Sequence, residues 1–297
     1  MISKFKYPLL IAFIGFSALS FNSSNDFQSI ESKYEFFSPI IEKLYEEGVD
    51  SSFIENFIEH SSVRFDEKYV KINVTGYLTK PDYSKHYNAR SVKKSKKFLS
   101  EYISILEEAE KKFGVQKEVI TSVLWVETRH GGYLGNNHIP TVFISTAMAD
   151  QEEFIEMNTE IFKETFSEDS EKRQEYEDKV IARAKRKSNW ALKELVALSK
   201  IYSERNVDIY NIKGSWAGAF GMSQFLPSSF LNWAVDGDGD GEIDLFTHHD
   251  AIYSVANYLK TNGWGKTEKQ QRAAVYHYNH SNDYVDAVLK LADLIKA

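Results

Sequence analysis

Apolar positions along this chain recur mostly at three- and four-residue intervals and rarely alternate, a pattern that predicts a mainly α protein. Residues 27–61 read as helices with aromatic-rich faces. Residues 71–83 read as irregular, with Gly76 and Pro81 as breakers. From 91 to 112 the spacing of Phe98, Tyr102, Ile105 and Ala109 predicts one long amphipathic helix, stopped by Gly114. The stretch 119–132 predicts the next helix, with Gly131 and Gly132 as its stop signal. Residues 150–190 are dense in charge and in helix formers, with a basic cluster at Arg183, Lys185, Arg186 and Lys187. They predict a solvated helical insertion, or alternatively an arm for a partner. Helical patterns at 228–234 and 250–262, the second with Asp250 as its expected N-cap, flank an acidic loop.

At the N-terminus Lys4 and Lys6 precede an apolar run over 9–19, with small residues at Ala18 and Ser20. This is the pattern of a secretory signal, with cleavage expected after Ser20 and a polar linker over 22–26. The expected organisation is a signal at 1–20 and one helical domain over 21–297. The chain is therefore expected to be exported. It contains no cysteine, so disulfides, a thiol nucleophile and a cysteine-linked lipid anchor are excluded. The net charge of −7 and the lack of a long basic block argue against nucleic acid. Its 17 Tyr, 20 Phe and 5 Trp suit either a core or stacking on sugar rings.

Within 119–132 one glutamate breaks an apolar face. Ile120, Val123 and Leu124 stand seven, four and three residues before Glu127 and share its side of the helix. Burial against them disfavours the charged carboxylate, and the negative end of the helix pushes the same way. A carboxylic acid kept protonated near neutral pH is what glycoside cleavage needs to protonate a leaving oxygen. The competing reading is a helix-end glutamate that reaches water or pairs with Arg129.

Residues 236–247, DGDGDGEIDLFT, place Asp236, Asp238 and Asp240 at loop positions one, three and five. Gly241 stands at the turn, Glu242 offers its backbone carbonyl at seven, and Asp244 falls at nine. The spacing is that of an EF-hand-like calcium loop, except that Thr247 occupies position twelve, where a bidentate glutamate is expected. Asp250 or water could fill that gap; the alternative is a flexible acidic turn. No organic cofactor is indicated. Residues 214–230, GSWAGAFGMSQFLPSSF, combine small residues with Ser215 and Gln224, either for close approach of a ligand or for close helix packing. In YHYNHSNDY at 276–284, Tyr278, Asn279 and Tyr284 could line a polar aromatic cleft. His277, His280, His248 and His249 lack a zinc-ligand pattern and read as ordinary polar residues.

Five segments in this order resemble the membrane-bound lytic murein transglycosylase B family: VETRHGG at 126–132, KGSWAGAFGMSQFLPSSF at 213–230, the Asp-rich loop, DAIYSVANYLKTNGW at 250–264 and YNHSNDYVDAVLKLA at 278–292. The resemblance implies a lysozyme-like helical catalytic core; the EF-hand-like calcium loop accompanies it, and the charged helical insertion at 150–190 departs from the family pattern. It implies periplasmic cleavage of the β-1,4 bond between N-acetylmuramic acid and N-acetylglucosamine in peptidoglycan glycan strands. One carboxyl, mapped to Glu127, would act as acid and then as base, giving 1,6-anhydro ends. Family cleft residues map onto Ser215, Gln224, Tyr258, Tyr278, Asn279 and Tyr284. Met222 stands where the family often has tyrosine, and the family's β-rich insertion before YNHS is missing, since only 265–277 intervenes. Those departures and the 150–190 insertion bear on strand contacts and on any cell-wall protein partner. Two rival expectations remain: a lysozyme-type hydrolase on the same core, and a non-catalytic glycan-binding scaffold.

Overall fold

Ser29 opens the first helix, α1 (Ile30–Glu46), with a reciprocal cap in which the Ser32 amide donates to Ser29 Oγ and the Ser29 amide to Ser32 Oγ. Asp50 caps α2 (Ser51–Glu59) in the same spirit, accepting the Ser52 amide at 2.8 Å. The structure is a computed structural model and describes residue 27 and residues 29–74, 82–205 and 207–297. The expected signal at 1–20 and the breakers Gly76 and Pro81 lie outside the described residues. After 3₁₀ turns at Glu67–Tyr69 and Tyr83–His86 come α3 (Ala89–Glu101), α4 (Ile103–Phe113) and α5 (Lys117–Thr128). Then follow β1 (Asn137–His138), α6 (Ile139–Ala147), α7 (Glu152–Thr165), α8 (Ser170–Arg205) and β2 (Lys213–Gly214). The chain finishes with α9 (Pro227–Trp233), α10 (His248–Thr261), α11 (Glu268–Tyr278) and α12 (Asn282–Lys296). The mainly α expectation holds.

The single helix expected over 91–112 is two. Tyr102 leaves helical geometry at φ −110°, ψ 24°, closing α3 and starting α4. Its ring stacks on His248 at 4.2 Å and lies 4.7 Å from Phe98. The bend lets Phe98 from one helix and Leu106 and Ala109 from the other reach the core, while Tyr102 and Ile105 stay only half-buried.

At the centre, α5 is buried on nearly all sides, as an interior helix should be. α3, α4, α10 and α12 pack around it. A two-residue antiparallel ladder sets Asn137 opposite Gly214 and His138 opposite Lys213, joining the loop after α5 to the segment before α9.

The insertion is helical but not simply solvated. Its second helix, α8, continues well past 190 and buries Ala191, Leu195, Leu198 and Ile201 against α6 and α9. The buried Glu194 accepts the Ser228 amide at 2.9 Å and its hydroxyl at 2.8 Å, capping α9 from another helix. The basic cluster also serves the chain itself. Lys187 Nζ donates to the Tyr69 carbonyl at 2.7 Å and Arg183 donates to the Asn73 carbonyl. Asn158 of α7 clamps the same strap, accepting the Ile72 amide at 2.7 Å and donating to the Val70 carbonyl at 3.1 Å. Among the described residues no helix is long and apolar enough to cross a membrane.

Candidate active site

α5 ends differently from the glycine stop expected. Arg129 and His130 both take left-handed conformations, at φ 56° and 60°, before Gly131. The His130 amide returns to the Leu124 carbonyl at 3.0 Å and the Arg129 amide to Trp125 at 2.9 Å, satisfying the last helical carbonyls. The His130 ring stacks on Phe98 at 4.0 Å and contacts the Thr121 carbonyl through Nε2 at 3.0 Å. Burial drives its pKa down to about 4, so the ring is neutral and Nε2 carries the proton it donates. Thr128 Oγ1 donates to the Met222 carbonyl at 3.0 Å and accepts the Gly131 amide at 2.9 Å. The turn after the glutamate is thereby locked to the glycine-rich segment.

Glu127 lies one residue before that locked turn. It is half-buried, and its Oε1 accepts the Tyr284 hydroxyl at 2.5 Å. The carboxyl is thus set deep among its neighbours, while part of the side chain stays accessible to solvent. Burial raises the carboxyl pKa from 4.5 to about 7, against the lowering effect of the Tyr284 hydrogen bond. The rival pairing with Arg129 does not form: Arg129 is exposed, and its charge acts instead on His86. Tyr284 is 1% exposed at the start of α12. Tyr278 lies parallel to it at 6.4 Å, and Tyr83 meets it edge-on at 6.0 Å. Burial, and next the Glu127 charge, raises the pKa of all three phenols, so they remain neutral donors beside the carboxyl. Tyr83 was not among the sequence-derived candidates. It is the last residue of the stretch read as irregular, and its local signal is Asp82, which caps the 3₁₀ turn.

The other candidates sort by what their polar atoms already do. Tyr258 is 8% exposed and donates its hydroxyl to the His277 carbonyl at 2.8 Å, while its ring braces Tyr278 at 4.7 Å. It is a post behind the cleft. The Tyr278 hydroxyl donates to the Ser223 carbonyl at 2.5 Å, with its ring left half-buried. Asn279 is exposed at the C-cap of α11. Ser215 Oγ accepts the Ala219 amide at 3.0 Å and closes a tight turn. Gln224, at φ 51°, commits Nε2 to the carbonyls of Gly221 at 2.9 Å and Leu134 at 3.4 Å, which leaves Oε1 for a ligand. Gly135 cannot carry a side chain: at φ +85° a Cβ would sit 2.1 Å from the Gly214 carbonyl oxygen. The loop after Glu127 and the loop holding Ser215 therefore touch backbone to backbone.

In the acidic loop three carboxylates converge, two at expected loop positions and the third from Asp250, the residue named for the gap left at Thr247. Asp236, Asp238 and Asp250 each bring a carboxylate oxygen within 4.8 Å of the others. Asp240 and Asp244 lie outside this set and accept the amides of Glu242 and Phe246, each at 2.8 Å, while Asp236 likewise accepts those of Gly239 and Gly241. Asp250 is 3% exposed and accepts the Gly237 amide at 2.7 Å and the Asp244 amide at 2.6 Å. Nor does it cap α10, because the N-cap is Thr247. Hard oxygens converging from one loop and the helix behind it fit a calcium ion.

Comparison with known proteins bears on the family and the fold. A family model for the transglycosylase SLT domain matches residues 32–274. The membrane-bound lytic murein transglycosylase B of Escherichia coli (strain K12) is 34% identical over 172 residues, 58% of this chain but only 38% of that protein. Among solved structures, the Escherichia coli lytic transglycosylase SLT35 in complex with calcium superposes with a TM-score of 0.65 at 21% identity, over 89% of this chain and 92% of its own. SltB3 from Pseudomonas aeruginosa, in complex with NAG-anhNAM-pentapeptide, gives a TM-score of 0.67 at 20% identity, over 91% of this chain and 80% of its own. The lysozyme-like helical fold is common to these structures and to this one. With its family match running from residue 32 to 274, the chain belongs to the transglycosylase SLT domain family.

Proposed function

We propose that this chain is a lytic transglycosylase that cleaves the β-1,4 bond between N-acetylmuramic acid and N-acetylglucosamine in peptidoglycan, leaving 1,6-anhydromuramic ends. The observation that carries the reading is Glu127, a half-buried carboxyl with a pKa raised to about 7 and a phenol hydroxyl bonded to it. Protonated Glu127 donates its proton to the glycosidic oxygen, and the carbon–oxygen bond to the leaving sugar breaks. The resulting carboxylate, held by the Tyr284 hydroxyl, takes the proton of the muramic C6 hydroxyl. The C6 oxygen closes on the anomeric carbon, and Glu127 ends protonated as it began. Tyr278 and Tyr284 line the cleft, Tyr258 supports them, and Ser215, Gln224 and Asn279 offer polar contacts to sugar hydroxyls or acetamido groups. The relatives support this assignment, one being named a murein transglycosylase and another holding an anhydro-muramyl product.

The acidic loop is assigned to a structural calcium ion held by Asp236, Asp238 and Asp250, with Asp240, Glu242 and Asp244 completing the loop around it. A bound divalent cation would offset part of the negative charge of the acidic loop and staple α9 to α10. SLT35, solved with calcium, lends support. The working chain is taken to be residues 21–297, exported by the 1–20 signal to the periplasm, where its substrate lies. The insertion, part core and part solvated hairpin, leaves room for a cell-wall protein partner.

Mass spectrometry of fragments released from purified peptidoglycan by residues 21–297, with Glu127→Gln alongside, tests the reading. Anhydro ends from the parent chain alone are expected. Reducing ends would instead make it a hydrolase, and an absence of fragments with retained binding would make it a scaffold.

A further inference from the structure

Two large aromatic side chains stand out from the rule that such residues are mostly covered. Tyr133 is 75% exposed and Trp216 71%, the highest values among the exposed large hydrophobic residues. Neither belongs to a loose segment. The Tyr133 amide donates to the Thr128 carbonyl at 2.9 Å, one residue beyond Glu127. Trp216 rides on the turn closed by the Ser215 amide on the Ala219 carbonyl at 2.7 Å and the Gly218 amide on the Ser215 carbonyl at 3.0 Å. The two loops meet between these residues, where Gly135 presses on Gly214 and the Ser215 amide too closely for any Cβ. Two unburied rings are thus presented by loops that touch backbone to backbone, one of them following directly on the helix that carries Glu127.

We infer that Tyr133 and Trp216 form an aromatic subsite that takes a pyranose ring of the glycan strand, outward of the sugars at Glu127. This rests on the glycan-cleaving reading above. An aromatic ring offers a flat apolar face to the axial C–H groups of a pyranose, while its rim and polar tip tolerate the surrounding hydroxyls. Tyrosine and tryptophan have only two side-chain torsions, so ordering such a ring against a sugar costs little rotamer freedom. A purely structural account leaves both side chains unexplained, because neither makes an aromatic contact or a hydrogen bond among the described residues and neither fills the core.

The test uses Glu127→Gln chains, which hold sugars without turnover, and β-1,4-linked N-acetylglucosamine dimer and pentamer as probes. Calorimetry and tryptophan fluorescence are read on that background alone and with Trp216→Ala, Trp216→Phe or Tyr133→Ala. Pentamer affinity is expected to fall about tenfold with each alanine, equivalent to about 1.4 kcal/mol. Dimer affinity should hold, and phenylalanine at 216 should recover most of the loss. Unchanged pentamer affinity in both alanine variants overturns the subsite, as does an equal loss for dimer and pentamer, which would mean a collapsed loop. Fragment analysis of the chain with Glu127 intact separates the two readings. Anhydro fragments with unchanged pentamer binding would remove the subsite and keep the enzyme. A Trp216-dependent pentamer without fragments would do the reverse.

Discussion

Replacing Glu127 by glutamine should change how the stability of the protein depends on pH. Glutamine keeps the shape of the side chain and can still accept the Tyr284 hydroxyl, so only the titrating charge is lost. In the folded chain the carboxyl holds its proton up to about pH 7, whereas an ordinary carboxyl releases it near 4.5. Between those values the folded state binds more protons than the unfolded state, so this group lowers stability as pH rises and then levels off. At ~1.4 kcal/mol per pH unit the full span corresponds to about 3 kcal/mol. Residual water access at Glu127 brings the expectation nearer to about 2 kcal/mol. The neighbouring tyrosines, all raised above their usual range, do not titrate in this window, and His130 titrates alike in both proteins. Urea unfolding of both proteins at constant ionic strength, from pH 4 to pH 8, gives the difference directly. The glutamine variant should gain on the parent by about 2–3 kcal/mol across that range, with the steepest change below pH 7. A difference that stays flat with pH would show that Glu127 ionises like any surface carboxyl. The acid role assigned to it would then lose its physical basis.

Tyr284→Phe removes the one hydrogen bond that lowers the Glu127 pKa. The alkaline limb of the pH–rate profile should therefore move up while kcat falls by about tenfold or more; an unmoved limb would contradict the contact. Calcium at about 100 times its Kd should stabilise the parent chain by about 2.7 kcal/mol in thermal melts, with the gain lost in Asp250→Asn. Equal melting with calcium and with chelator would reduce the acidic loop to a turn. Gly135→Ala should cost roughly 2–4 kcal/mol in chemical unfolding, because the added carbon meets the Gly214 carbonyl at 2.1 Å in a left-handed backbone. A loss below about 1 kcal/mol would show that the two loops can part.

The glutamate was legible because Ile120, Val123 and Leu124 carry an unbroken helical period into Glu127, and burial follows from that period alone. Tyr284, Tyr278 and the glycine-rich segment came from motif order, which names residues but not what their atoms bond. Spacing could not reveal that the Tyr258 hydroxyl is committed to a backbone carbonyl. The break at Tyr102 was invisible because the apolar stripe runs through it; only packing against His248 and Phe98 separates the two helices. The left-handed pair Arg129 and His130 was hidden by the glycines that follow. The gap at Thr247 pointed to Asp250, but spacing alone could not separate it from water; it reaches the acidic cluster from the first turn of α10. The buried half of α8 escaped notice for a related reason. Its charged first half dominated the reading, while Leu195, Leu198 and Ile201 lay past the assumed boundary.

The carboxyl and the phenol that holds it are 157 residues apart, and the phenol belongs to the last helix of the chain. α12 packs directly on α5, so the final segment supplies both a wall of the cleft and the hydroxyl on Glu127. Contacts of such long sequence separation form late, since the intervening chain must be ordered before they can close. While α12 is undocked, Glu127 lacks that hydroxyl and part of the burial that raises its pKa, and it ionises more nearly as a hydrated acid. Ser215, Gln224 and Tyr278 belong to other elements, so a fold with α12 displaced keeps those polar groups and loses its tuned acid.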